Sequence, residues 1–268
     1  NEHKEDLESG TRAAVMGGVT AVFEMPNTNP LTTTPEALND KLSRADGRAW
    51  SDYAFYAGAT PDNADSLGDL EILPGCCGIK IFMGSSTGSL LVPDDESLRR
   101  VLENCRRRVA VHAEDEERLK ARSHIAAEAA HPRVHPDWRD VETAFNATRR
   151  VVSLAEELRR RVHVLHVTTA EEMSYLADHK DVASVEVTPQ HLTLEAPDCY
   201  ERLGAFAQMN PPIREARHRE GLWNAIAQGV VDVIGSDHAP HTRDEKNQIY
   251  PYTPSGMPGV QTLLPLML

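Results

Sequence analysis

The residues best suited to chemistry stand at the ends of short apolar runs. Lys80 sits in Gly78-Ile79-Lys80-Ile81-Phe82-Met83, with apolar neighbours on both sides. A lysine there either snorkels to solvent or is buried, and a buried ammonium is costly, so its pKa is pushed down. A neutral amine can react with CO₂ to give a carbamate, an anion able to bridge divalent cations. His112 closes Val109-Ala110-Val111-His112 and is followed by the acidic pair Glu114-Asp115. His163 and His166 share one apolar run at an odd spacing, so along a strand they point to opposite faces. His166, the later one, is expected inside, and His163 toward an outer layer. Ser236-Asp237-His238-Ala239-Pro240-His241 follows Val-Ile-Gly. An aspartate there could bind a metal and accept a proton from water, and the two histidines could orient it or contact substrate. Imidazole nitrogen and carboxylate oxygen suit Zn²⁺ and similar ions. Asn27, His191 and Asn210 continue the pattern, one polar residue after another at the ends of the runs.

The elements that must position these residues alternate along the chain. Apolar runs at 19–25, 53–59, 78–83, 109–113, 162–167, 182–187 and 231–234 read as strands. Stretches at 2–16, 94–107, 138–159, 170–179 and 215–228 read as helices, and Thr34-Pro35-Glu36 opens another with a capping residue and proline at its first position. The polar, His- and Ala-rich segment 114–137 is expected to form a helix-loop insertion. Strands separated by helices, apolar without clean alternation, predict a parallel sheet covered on both faces. The fold class is therefore α/β, a (β/α)₈ TIM-type barrel represented by its strands two to eight. The first strand would precede residue 1, and 260–268 would begin a final helix. Residues 1–268 then form a single partial barrel domain. A doubly wound sheet would show a Gly-rich phosphate turn after its first strand, and Met25-Pro26-Asn27-Thr28-Asn29-Pro30 is not one. In a barrel, the working residues sit at the C-terminal strand ends.

Composition narrows the function classes. The chain has 268 residues, 40% apolar and 26% charged, and no apolar run long enough for a membrane span of about 20 residues. Its first residues, Asn-Glu-His-Lys-Glu-Asp, do not read as a secretory signal. A net charge of −13 argues against a nucleic-acid or anionic-membrane partner. Arg106-Arg107-Arg108 and Arg159-Arg160-Arg161 each precede a strand-like run and read as solvated helix ends favoured by the helix dipole. Cys76, Cys77, Cys105 and Cys199 have neither CxxC spacing nor disulfide density, which predicts a reduced, cytoplasmic protein.

Several motifs together resemble the dihydroorotases of the amidohydrolase superfamily. They are Lys4-Glu5-Asp6 through Gly17-Gly18-Val19-Thr20, Met25 to Pro30, Gly78-Ile79-Lys80, Val111-His112-Ala113-Glu114, His163 to Glu171, Met209-Asn210-Pro211-Pro212-Ile213-Arg214 and Ser236 to His241. The resemblance implies a barrel with a binuclear zinc centre that interconverts N-carbamoyl-L-aspartate and L-dihydroorotate in pyrimidine synthesis. It implies that Lys80 is the carboxylated bridging lysine, that His112 and His166 ligate the second metal, and that Asp237 ligates the first and acts as base and acid. Asn27, Asn210 and His241 match substrate-contacting positions, and the Pro254-Ser255-Gly256 turn adds Ser255 and Gly256 to that set. The family's His-x-His pair and adjacent arginine are expected just before Asn1, His3 is no substitute, and Gln190 stands where many relatives carry histidine. The family's small flanking β-domain is likewise not expected here, so these 268 residues alone are expected to be inactive. The implied partner is a small-molecule substrate, with self-association and association with aspartate transcarbamoylase left open. The alternatives are an allantoinase or dihydropyrimidinase-like hydrolase, and an inactive scaffold subunit. The asparagines at 27 and 210 favour an acidic substrate.

Overall fold

A computed structural model of the chain describes residues 1–86 and 90–268. The helices start where short polar side chains can hold free main-chain N–H groups. Asp6 and Thr169 form capping boxes ahead of Leu7–Met16 and Ala170–Ala177. Thr34, Asp94 and Asp140 cap Pro35–Ala45, Asp95–Asn104 and Val141–Leu158. The caps explain why the first helix begins at Leu7 rather than at residue 2, and why the long one begins at Val141 rather than at 138. The 114–137 insertion is helical over Glu116–Ala127 and then irregular, with short turns at Pro132–Val134 and His135–Trp138.

All seven expected strands are present: β1 (Ala21–Glu24), β2 (Asp52–Gly58), β3 (Cys76–Phe82), β4 (Val109–His112), β5 (Val162–Val164), β6 (Ala183–Val187) and β7 (Val233–Ile234). They pair in chain order, every pair parallel, as a curled half-barrel sheet. Alternate residues pack outward against the helices. Ile79, Ile81, Val109, Val111, Val162, Val164, Val185 and Val187 belong to one buried core with helix residues such as Leu98, Val151 and Leu176. The other set faces inward, and Gly58, Lys80, Ala110, His163 and Ser184 lie in one cross-strand row.

That row overturns the expectation for His163. It faces the interior, where its Nδ1 meets Ser184 Oγ at 2.8 Å and its Nε2 lies 3.4 Å from Glu186 Oε2. Strand parity failed because β5 ends at Val164, short of the run predicted to reach 167. His166 beyond it takes a left-handed φ of 38°, which returns its side chain to the inside. Both histidines therefore serve the interior. The sheet is open between its outer strands: Phe23 on β1 is 59% exposed and Val233 on β7 is 43% exposed. Among the described residues, no helix is long and apolar enough to cross a membrane.

Candidate active site

The C-terminal ends of β3 to β7 gather ionisable side chains, buried at β3 to β5 and half-buried at Glu186 on β6 and Asp237 after β7. Lys80 is buried, its ammonium 4.5 Å from the centroid of the Phe82 ring. Burial pulls its pKa down to about 7, against the opposing pull of Asp237 and Glu186. Asp237 is displaced the other way, up to about 7, by burial and then by the Glu186 charge, with Lys80 opposing. The lysine and the aspartate thus share one desolvated region, and each is brought within reach of its uncharged form near neutral pH.

The two histidines meet directly. His112 Nδ1 lies 3.1 Å from His166 Nε2, with ring centroids 4.8 Å apart. Burial depresses both pKa values, so both rings are neutral. The second nitrogen of His112, Nε2, is 2.7 Å from Glu114 Oε2. Arg139 grips that carboxylate, its Nη2 at 2.6 Å from Oε2 and its Nε at 3.1 Å from Oε1. Burial raises the Glu114 pKa, but the Arg139 and His112 contacts outweigh it and hold the group ionised. An ionised Glu114 accepts only, so the proton of neutral His112 resides on Nε2 and Nδ1 presents a lone pair toward His166. His166 Nδ1 is buried with no hydrogen-bond partner among the described residues.

His166 and Asp237 also share a backbone peculiarity: both are non-glycine residues with positive φ, 38° and 41°. Such residues are uncommon and concentrate where a side chain must be aimed against backbone preference.

The remaining expected residues form adjoining groups. Asn210 Oδ1 accepts from His135 Nε2 at 2.8 Å, and His135 Nδ1 lies 3.2 Å from the Tyr250 hydroxyl. His241 Nε2 donates to the Ser255 carbonyl at 3.0 Å, while its Nδ1 is 2.9 Å from Lys4 Nζ. Gly256 has φ 145°, and a Cβ there would lie 2.5 Å from the Ala239 carbonyl oxygen, so this turn needs glycine. Ser255 Oγ accepts from Gln208 Nε2 at 3.1 Å, which ties the turn to the segment leading to Asn210. Asn27 follows β1 and is half-buried. His191 and Gln190 serve architecture: His191 bridges Thr188 Oγ1 and the Pro211 carbonyl, and Gln190 donates to the Ser236 carbonyl. His238 turns away from Asp237 to Glu5, at 2.6 Å.

Glu186, Arg139 and His135 are participants that motif reading did not single out. Glu186 was detectable: a carboxylate between Val185 and Val187 carries the same signal as Lys80 between isoleucines. His135 sits in the insertion and Arg139 just after it, where only folding brings them to Asn210 and Glu114.

Comparison with known proteins adds an independent line. No family model matches the chain. It is 37% identical to a dihydroorotase of Halobacterium salinarum over 278 aligned residues, covering 100% of this chain and 62% of that protein. A dihydroorotase of Methanosarcina acetivorans is 35% identical, covering 99% of this chain and 59% of the relative. The chain is similar along its whole length to dihydroorotases. It spans about 60% of the length of the family members it matches. Among solved structures, an L-hydantoinase (dihydropyrimidinase) from Arthrobacter aurescens superposes with a TM-score of 0.91 at 28% identity, over 98% of this chain and 60% of the other. A dihydropyrimidinase from Brevibacillus agri gives 0.87 at 25% identity over the same shares. The chain thus has the curled, all-parallel sheet seen in these hydrolases.

Proposed function

We propose that the protein is a metal-dependent dihydroorotase, hydrolysing the ring amide of L-dihydroorotate and closing it in reverse. The observation that carries this reading is the set of buried Lys80, His112 and His166 with half-buried Asp237 at the C-terminal strand ends, in a chain similar along its whole length to dihydroorotases.

The donor chemistry fits a divalent centre. His112 Nδ1 and His166 Nε2 converge at 3.1 Å, close to the separation of about 3.3 Å that Zn–N bonds of about 2.0–2.1 Å make at tetrahedral angles. The Glu114 contact that fixes the His112 tautomer is the usual outer support of a ligating histidine. A lysine of lowered pKa supplies the neutral amine that carboxylation requires. Among the described residues, no three His, Cys, Asp or Glu side chains are close enough to hold an ion unaided. The remaining ligands would come from an eighth strand seated between the open edges of β1 and β7, which completes a (β/α)₈ barrel. In this reading Lys80, once carboxylated, would hold the divalent metal centre together with His112, His166 and Asp237, with zinc as the expected ion. Bound metal would supply Lewis acidity toward the ring carbonyl and ease deprotonation of the attacking water.

The chain's own residues do the rest. Asp237 takes the proton of the attacking water and returns it to the departing ring nitrogen. Asn27, Asn210 and His241 hold the substrate's amide and carboxylate, and His135 fixes the Asn210 amide so that its NH₂ is presented. Ser255 and Gly256 close the site. The fold's likeness to hydantoinases favours one other reading, a dihydropyrimidinase-like hydrolase. Turnover of dihydroorotate, dihydrouracil and allantoin by the intact protein tests both, with metal analysis alongside. Dihydroorotate should be preferred by a protein carrying about two divalent ions per chain. Preference for dihydrouracil would replace the assignment, and a metal-free inactive protein would sink it in favour of a scaffold.

A further inference from the structure

The two arginine triplets, which read from sequence as separate solvated helix ends, meet in space. Strands β4 and β5 are neighbours, and just below them Val109 N donates to the Arg161 carbonyl at 3.1 Å. A cavity of about 560 Å³ opens there, lined by Arg106, Arg108, Arg159, Arg160 and Arg161. The hollow is open to solvent, with Arg106, Arg108, Arg159 and Arg161 exposed and Arg160 half-buried.

Little of this charge is neutralised locally. Arg160 Nη2 donates to the Glu103 carbonyl at 2.8 Å, and Arg107 turns away to the Cys76 carbonyl. Glu71 accepts the main-chain N–H groups of Arg106 and Arg107. Asp232 feels the charge of Arg108 but is paired with Lys180. Among the described residues, the guanidinium groups of Arg106, Arg108, Arg159 and Arg161 have neither a hydrogen bond nor an ion pair. This concentration stands out in a chain of net charge −13. The carbonyl ends of two helices, Asp95–Asn104 and Val141–Leu158, favour some positive charge here. They do not require so many arginines around one hollow.

Arg159 adds a separate observation. It terminates Val141–Leu158 in the left-handed conformation, φ 54° and ψ 44°, a position where glycine is the relaxed choice. An arginine there adds a guanidinium to the lining of the cavity, which a glycine would not.

From this geometry we propose that the arginine-lined cavity binds a compact polyanion bearing clustered phosphate groups, either inorganic polyphosphate or the phosphates of a nucleotide. Guanidinium forks match phosphate oxygens two at a time and stay charged at any physiological pH. The cavity faces away from the strand ends that carry Lys80 and His112, so its ligand and a substrate there would not compete for space.

The test is calorimetric titration and thermal melting of the intact protein with tripolyphosphate, a nucleoside triphosphate, the free nucleoside, and sulfate at matched ionic strength. Tripolyphosphate should bind and raise the melting temperature, and Arg108→Ser and Arg161→Ser should each weaken binding about tenfold or more. Arg159→Gly should raise the melting temperature of the ligand-free protein while weakening binding, opposite signs that a general charge effect does not produce. A triphosphate nucleotide binding much more tightly than tripolyphosphate identifies the nucleotide as the source, and equal affinity identifies the phosphates alone. Absence of binding, unchanged affinity in the serine variants, or an equal response to sulfate overturns the proposal.

Discussion

At the C-terminal ends of β3 and β4 and just past β5, Lys80, His112 and His166 are enclosed and their pKa values are driven toward or below neutrality. One strand length away, at the other ends of β4 and β5, Arg108 and Arg161 remain in solvent. The residue types match the settings. Lysine and histidine lose their protons when desolvated and become donors of electron pairs, whereas arginine keeps its charge. The same two strands therefore present lone pairs at one end and fixed positive charge at the other.

Four variants can break or sharpen that contrast. Asp237→Ala in the intact protein should lower turnover about 10³-fold or more while leaving the circular dichroism spectrum intact. Near-normal turnover would remove the aspartate from the chemistry. Arg139→Met should cost about 3–5 kcal/mol in urea unfolding, since it strands the Glu114 carboxylate in the interior. A loss under about 1 kcal/mol would mean that water reaches Glu114 and that the enclosed end is less dry than its geometry implies.

Asp140→Ala should cost about 1–2 kcal/mol at neutral pH by removing a helix cap. Burial raises the Asp140 pKa, but hydrogen bonds from Arg118 and Thr143 outweigh it and bring the value from 3.8 down to about 2. With the folded pKa below the unfolded one, the charge-linked share of its stabilisation is complete above 3.8 and is lost as the pH falls through about 2. The gap between wild type and variant, measured by thermal melts from pH 6 downward, should narrow across that window, roughly pH 4 to 2. A gap independent of pH would assign the whole effect to the neutral cap. Least affected should be Arg108→Ser, which touches only the exposed end: turnover within about twofold and stability within about 0.5 kcal/mol of wild type. A large loss of turnover would show that the two ends are not independent.

The alternation of strands and helices was legible because parallel strands buried on both faces are short apolar runs between capped helices. Lys80 was legible as a charged residue embedded in such a run, and Asp237 as one just past the end of another. His163 was misplaced because period-two reasoning assumes an unbroken strand, and the left-handed turn at His166 breaks it. Glu186 carried the same signal as Lys80 but no recognisable motif. Arg139 and His135 gave no local signal, since their roles exist only through contacts across the fold. The arginine triplets were visible singly, but their convergence depends on the pairing of β4 with β5.

The left-handed conformations of His166 and Asp237 have a consequence for mutational tolerance. Each position is constrained twice, once by what its side chain does and once by what its backbone will accept. Asparagine, aspartate, histidine and glycine enter that region most readily, and β-branched residues resist it. A saturation library at either site should therefore lose folded members among the valine, isoleucine and threonine variants before function is assayed at all. Evolutionary drift at these positions has few doors to leave by, and glycine and asparagine are the ones the backbone leaves open.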